Sequence, residues 1–203
     1  MSDKPPRYFT KANVKVLSKE VPYKGFLCVE KYSLQHQCFE GGWSKPLSRE
    51  LMLRKHAVAV LLHDPARNTL VLLEQFRIGA LSDHESPWLL ELVAGLIDSE
   101  ESPEQVAIRE CQEEAGCRVD KLDKIRELYL SPGASNEKLF LYYAQIDTSN
   151  LGGVHGLDSE GEDIRVHVLP CEQAFALLEN GQINNAIAII ALQWLQQKQM
   201  AGH

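Results

Sequence analysis

Gly95-Leu-Ile-Asp-Ser-Glu-Glu-Ser-Pro-Glu-Gln-Val-Ala-Ile-Arg-Glu-Cys-Gln-Glu-Glu-Ala-Gly-Cys117 is the stretch on which the reading of this chain turns. Ser102 is an N-cap, Pro103 fits the first helical position, Gln105 stands at the capping-box place and Gly116 is a C-terminal stop, so a helix is expected between them. On that helix Glu110, Glu113 and Glu114 are i, i+3 and i+4 neighbours and share one side. Like charges so placed repel by ~0.2–0.5 kcal/mol per pair even when solvated. Ala107, Ile108, Cys111 and Ala115 form a small apolar face that can pack on a sheet, with the acidic side outward. A solvated acidic face is the ordinary fate of such a run. Clustered carboxylates with open coordination positions also suit magnesium or manganese, hard cations that carry substrate phosphates. Arg109, planar and always charged, is placed to brace Glu101 or Glu113.

The rest of the chain narrows the class. It has 203 residues, 44% of them hydrophobic, enough for one globular core with a small appendage. Its net charge of -7 disfavours general nucleic-acid binding. Apolar runs such as Ala57 to Leu62 fall far short of a bilayer span, and Met-Ser-Asp-Lys-Pro-Pro lacks the features of a secretory signal. A soluble, cytoplasmic protein without membrane or nucleic-acid partners is expected. The five cysteines form no C-x-x-C pair and the seven histidines no i, i+4 pair, which argues against zinc and for reduced thiols.

Outward from the helix, Val14 to Gln37, interrupted by Pro22 and Gly25, predicts short antiparallel strands, and Arg49 to Arg54 is extended. His56 to His63 and Leu70 to Phe76, joined by a turn at Pro65 to Asn68, predict a central hairpin buried on both faces. Trp88 to Val93, Lys124 to Leu130, Lys138 to Ile146 and Ile164 to Leu169 are expected strands, Gly152 to Asp163 a loop. Helices over Cys171 to Asn180 and Asn184 to Lys198 close the chain. The fold class is α/β, an α/β/α sandwich around a mixed sheet. Residues 1–55 form an N-terminal β-rich segment with too little core of its own, and 56–203 the main domain.

The spacing G-x5-E-x7-R-E-(apolar)-x-E-E-x-G is met by Gly95, Glu101, Arg109, Glu110, Glu113, Glu114 and Gly116. It resembles the Nudix box of the Nudix hydrolases, with Cys111 and Cys117 where larger aliphatics are common. The resemblance implies metal-dependent hydrolysis of a nucleoside diphosphate linked to another group, with the Ala94 carbonyl, Glu110 and Glu114 as metal ligands and Glu113 as a further ligand or bridge. A diphosphate entering so acidic a site needs cations between.

Other segments resemble the ADP-ribose branch of that family. They are Ser48-Arg-Glu-Leu51, Leu73-Glu-Gln-Phe-Arg77, Ser86-Pro-Trp-Leu-Leu-Glu91, Ser131-Pro-Gly133, His155-Gly-Leu, Glu160-Gly-Glu-Asp-Ile-Arg-Val-His167 and Asn184 to Trp194. The implied reaction turns ADP-ribose into AMP and ribose 5-phosphate. Another nucleotide sugar such as GDP-mannose is the alternative substrate. A non-catalytic ADP-ribose sensor is a second alternative, but it would be expected to have lost charged box residues. Arg49 and Arg77 offer fork-shaped donors for the diphosphate or the adenine side, surface ion pairs being the plainer reading. Glu50 is assigned to the ligand or a partner arginine, Phe26 to stacking on adenine unless it is core, and Glu137 to the ribose hydroxyls. Tyr142 and Trp88 are read as core or interface. A general base must reach the attacking water, and the glycine-flanked loop Gly152 to Gly161 can carry Glu160, the first choice, or Glu162, the second. The resemblance also implies a homodimer in which the N-terminal strands of one subunit complete the site of the other.

The charge itself is local. Glu91 to Glu114 holds eight acids and one base, and Asp158 to Asp163 four more acids, which leaves the remainder at +4.

Overall fold

The computed structural model describes residues 9–82, 85–97, 100–157, 159 and 161–201, and each structural statement below concerns those residues. Asp98, Asp158 and Glu160 lie outside them. The chain divides into two compact units: the residues up to Arg54 with Ser131–Glu137, and Lys55–Leu130 with the residues from Lys138 on.

In the first unit, β1 (Val14–Lys24), β2 (Cys28–His36) and β3 (Leu47–Leu53) form an antiparallel sheet in the order β1-β2-β3. Pro22 does not break the first strand as expected. It sits where the pairing slips between Glu20 and Tyr23, on an edge strand, where a missing N–H is tolerated. Ser131–Glu137 is fastened to β3. Met52 N–H donates to the Ala134 carbonyl at 2.8 Å, and Arg54 N–H to Asn136 Oδ1 at 2.7 Å.

The second unit is built on a sheet of β4 (Ala57–Asp64), β5 (Thr69–Phe76), β8 (Asp123–Tyr129), β9 (Lys138–Gln145), β10 (Gly153–His155) and β11 (Ile164–Pro170), with β6 (Trp88–Glu91) and β7 (Val93–Leu96) attached. Its order is β10-β11-β5-β4-β9-β8, and β4 and β9 run parallel, so the sheet is mixed. The expected hairpin of β4 and β5 is paired only at its turn, His63 to Leu70 and Asp64 to Thr69. Beyond it the two strands diverge, and the segment from Trp88 to Leu96 fills the wedge. Its first half pairs with β5 and its second with β4. Leu92, 1% exposed, marks the changeover. Apolar runs specify burial but not the partner strand, which is why the sequence suggested a simple hairpin.

Alternation along the strands sends side chains to two cores. Ala59, Leu61, Leu70, Leu72, Leu139 and Leu141 meet α2 (Cys171–Glu179) and α3 (Ala186–Ala201) on one face. Val58, Val60, Val71, Leu73, Tyr142 and Ile164 meet α1 (Pro103–Ala115) on the other. This is the expected α/β/α sandwich. Short β10 is an addition, since three residues flanked by glycines give no alternation to read. No helix among the described residues is long and apolar enough to cross a membrane.

Asp64 locks the turn end of the sheet. Its buried carboxylate accepts from Thr148 N–H at 3.0 Å, Thr148 Oγ1 at 3.1 Å, Arg67 Nη1 at 2.9 Å and the N–H groups of Ala66 and Arg67. These donors, the Thr148 N–H first, hold the carboxyl well below the usual carboxylate range. Asp64→Ala is expected to destabilise the unit by about 2–3 kcal/mol, since it strands buried donors. Because the folded pKa is depressed, this contribution is whole above the unfolded carboxyl pKa, roughly 4, and fades as pH falls below it. Urea unfolding of both proteins at pH 7 and pH 3 measures it, with the difference shrinking at pH 3.

Candidate active site

α1 begins and ends as the sequence predicts. Ser102 Oγ accepts from Gln105 N–H at 3.2 Å, Gln105 Oε1 accepts from Ser102 N–H at 2.8 Å, and Gly116 is left-handed at φ 60°. Its rotation departs from the expectation. Val106, Ala107, Cys111 and Ala115 are buried, but so is Glu114 at 2% exposure, whereas Ile108 is 40% exposed. The acidic side is therefore not wholly outward. The cause is β7: Ala94 N–H donates to Glu114 Oε2 at 2.8 Å, drawing that carboxylate onto the sheet. Gly95 next to it makes room for the neighbouring acid, because a Cβ there would overlap the Glu110 carboxylate. Tyr142, in the core beneath, donates to Glu104 Oε1 at 2.7 Å and fixes the first turn of α1 to β9.

The three helix carboxylates are thus unlike. Arg109 reaches Glu113 at 2.5 Å, Glu110 at 3.0 Å and Glu101 at 3.5 Å. Its guanidinium spans three acids of the box. Glu110 is pushed up to about 7, first by burial, with Glu113 and Glu162 adding to the rise and Arg109 opposing it. Glu114 is pushed up to about 8, again first by burial, with the Ala94 N–H and Arg77 opposing and Glu110 and Glu162 reinforcing. The surrounding donors do not offset the loss of water at either carboxyl.

Glu162 approaches from the loop between β10 and β11. Half-buried, it accepts from Leu157 N–H at 3.1 Å and acts electrostatically on both Glu110 and Glu114. Glu160, the other loop acid considered as base, lies outside the described residues. Arg77 follows β5, and its Nε meets Glu91 Oε2 at 2.8 Å, with the arginine side chain 44% exposed. Sequence reasoning named Arg77 but not this pair, whose partners come together only because β6 lies on β5.

The remaining expected contacts belong to the first unit. Arg49 and Glu50 are exposed neighbours on β3, Arg49 Nη1 donating to the Ser48 carbonyl at 2.8 Å and Glu50 lying opposite Lys31. Phe26, at the tip of the β1–β2 hairpin, is 95% exposed and is not core. Glu137 pairs with Arg54 at 3.1 Å. Trp88 is 51% exposed and stands edge-on to Phe76, so it is not core either.

Among the described residues no three His, Cys, Asp or Glu side chains converge as a ready metal cage. Arg109 takes up Glu113 and also touches Glu110, which leaves Glu114 buried against the Ala94 backbone and Glu110 half-buried beside it. Two carboxyls whose pKa burial raises against the partial opposition of Arg109 and Arg77 fit a hard divalent cation that takes its other oxygens from backbone, water and ligand.

With that geometry in view, the comparisons define the class. The model of the NUDIX domain matches residues 53–191, and the chain belongs to the Nudix family. An ADP-ribose pyrophosphatase of Escherichia coli (strain K12) is 43% identical over 194 residues, 96% of this chain and 93% of that protein. One of Haemophilus influenzae is 41% identical over 193 residues, 94% of this chain and 89% of that protein. A GDP-mannose pyrophosphatase of Escherichia coli O1:K1 / APEC is 34% identical over 153 residues, 75% of this chain and 79% of that protein. A crystal structure of an ADP compounds hydrolase shares the fold, with a TM-score of 0.69 over 94% of this chain and 95% of that one at 24% identity.

The raised carboxyl pKa values carry a signed prediction. Burial lifts Glu110 and Glu114 above the ordinary glutamate value of 4.5 in the folded state, so the metal-free fold loses stability as pH rises from about 4.5 through 7 to 8. In a chelator, the melting temperature should fall between pH 5 and pH 8. Glu114→Gln should melt higher than the parent at pH 8, by several degrees, with the gap closing toward pH 5. Parallel melting curves across that range would refute the counter-charge argument.

Proposed function

We propose that this chain hydrolyses the diphosphate of ADP-ribose to AMP and ribose 5-phosphate, using magnesium, with manganese as a possible substitute. The observation that carries the reading is buried Glu114, held by the Ala94 N–H, with half-buried Glu110 beside it, two carboxyls that can face a diphosphate in their ionised form only with cations between. The identity of 41–43% to ADP-ribose pyrophosphatases over most of the chain supports the choice of substrate. The lower identity and coverage of the GDP-mannose pyrophosphatase rank that sugar second.

Glu110, Glu114 and the Ala94 carbonyl would hold the cation, with Glu113 as an additional ligand. Bound there, a divalent cation polarises phosphoryl oxygens and acidifies water. Arg109 keeps the carboxylates oriented by spanning Glu101, Glu110 and Glu113. A loop carboxylate takes the proton from the water that attacks phosphorus in line. Glu160 is the first candidate, and Glu162, already facing both buried acids, is the second. Arg77, which acts on Glu114 from the end of β5, is assigned to the diphosphate. Arg49, Glu50, Phe26 and Glu137 are assigned to the nucleoside and ribose ends.

The active form we propose is a cytoplasmic homodimer. Its support is β1, exposed along all 11 residues with Val14, Val16, Leu17, Val21 and Tyr23 uncovered, an edge a second copy can cover. Five free cysteines agree with a reducing compartment. Sedimentation should give twice the mass of 22.9 kDa, and a monomer at micromolar concentration removes the dimer.

Turnover with ADP-ribose and GDP-mannose in 18-O water, with mass analysis of products, tests the reaction. Label should enter AMP or ribose 5-phosphate, and preference for GDP-mannose overturns the substrate assignment. Glu114→Gln and Glu110→Gln should each lower kcat by on the order of 10²–10³-fold with unchanged circular dichroism. Activity at the parental level in both would remove them as ligands.

A further inference from the structure

The His155-Gly-Leu segment singled out in the sequence has no role in the scheme above. His155 ends β10 opposite Ile164 of β11, a core residue on the α1 side, and the loop between them carries Glu162. The His155 side chain is directed to that same face, since cross-strand partners share a side. There it meets the end of α1. A Cβ built on Gly116 would stand 2.8 Å from Cε1 of the His155 ring. Gly116 is needed twice, for its left-handed φ of 60° and for the space the ring occupies. The ring is also fixed from behind. The Gly152 carbonyl can only accept, so the Nε2–H of His155 donates to it at 2.9 Å.

At the far end of the loop, Glu162 N–H donates to the Leu157 carbonyl at 3.3 Å, and Leu157 N–H donates back to Glu162 Oε2 at 3.1 Å. The neck of the loop is therefore closed on itself, and its two ends meet the carboxylate helix at its base, through buried Ile164 at the start of β11 and through His155 at the end of β10. We propose that His155 is a positioning residue whose ring, seated on the Gly116 cap and held by the Gly152 carbonyl, docks the Glu162-bearing loop onto α1. This rests on the hydrolase reading for its kinetic consequence but not for its structural one. Loss of the ring frees the β10 end of the loop while β11, paired with β5 from Arg165 on, still holds the other end, and a carboxylate shifted by about 1 Å from its working position can lose up to ~10²-fold in rate.

The test uses the full chain with His155→Ala, His155→Gln and Gly116→Ala, and the double variant His155→Ala/Gly116→Ala. Hydrogen exchange read by mass spectrometry needs no substrate. In His155→Ala the peptides covering 152–164 should exchange faster while those of α1 keep parental protection. With ADP-ribose, kcat should fall by about 10- to 100-fold with KM within about 2-fold. His155→Gln, whose amide can still donate to Gly152, should restore most of both. Gly116→Ala should lose less activity in the His155→Ala background than in the parent, because the ring it displaces is gone. Unchanged loop exchange in His155→Ala overturns the proposal, whatever the substrate proves to be. So does a rate loss that appears in KM alone, or faster exchange spread equally over α1. If the parent does not turn over ADP-ribose, the function fails and the exchange data alone decide this docking.

Discussion

Everything at the site depends on how closely α1 lies on β7. A single hydrogen bond, from Ala94 N–H to the Glu114 carboxylate, and a single missing side chain, at Gly95, set that approach. The bond carries the Glu114 carboxylate into the core, and the glycine leaves room for half-buried Glu110 beside it. Burial then makes both acids reluctant to ionise, so the folded protein stores an electrostatic demand that a cation can meet. A side chain at Gly95 would have to displace the Glu110 carboxylate from its present place.

The surroundings serve that contact. The divergence of β4 from β5 opens the wedge that β6 and β7 occupy, and places Ala94 and Gly95 under the helix. Tyr142 fastens the first turn of α1 through Glu104, and His155 covers its last turn at Gly116. Arg109 gathers Glu101, Glu110 and Glu113 around one guanidinium. A helix held at both ends and along its acidic flank presents carboxylates with little freedom to collapse on one another. That is the preorganisation that electrostatic catalysis of phosphoryl chemistry requires.

The box was legible because capping, helical periodicity and glycine placement are local rules. Ser102, Pro103, Gln105 and Gly116 fixed the limits of α1, and Glu110, Glu113 and Glu114 could be read as one cluster. The rotation of the helix was less legible. Ile108 was expected inside and Glu114 outside, because hydrophobicity alone ranks them so. A backbone donor on the strand before the helix, Ala94, reversed the order for Glu114, and nothing in the periodicity announces such a donor. The contacts of Arg77 with Glu91 and of Arg54 with Glu137 were hidden for the same reason. Each joins residues whose neighbours in space come from different strands or loops.

What the sequence by itself determined is therefore the helix, its carboxylate cluster and the mixed α/β class, which rest on interactions within a few residues that spacing encodes directly; the diphosphate-bearing kind of ligand came from the resemblance of that spacing to the Nudix box. The tertiary structure decided which acids lose their water, which are neutralised by arginine, and which glycines are needed for clearance as well as for conformation. Those depend on what lies across a gap from each side chain, and that is fixed only when β4 and β5 part and the segment from Trp88 to Leu96 enters between them.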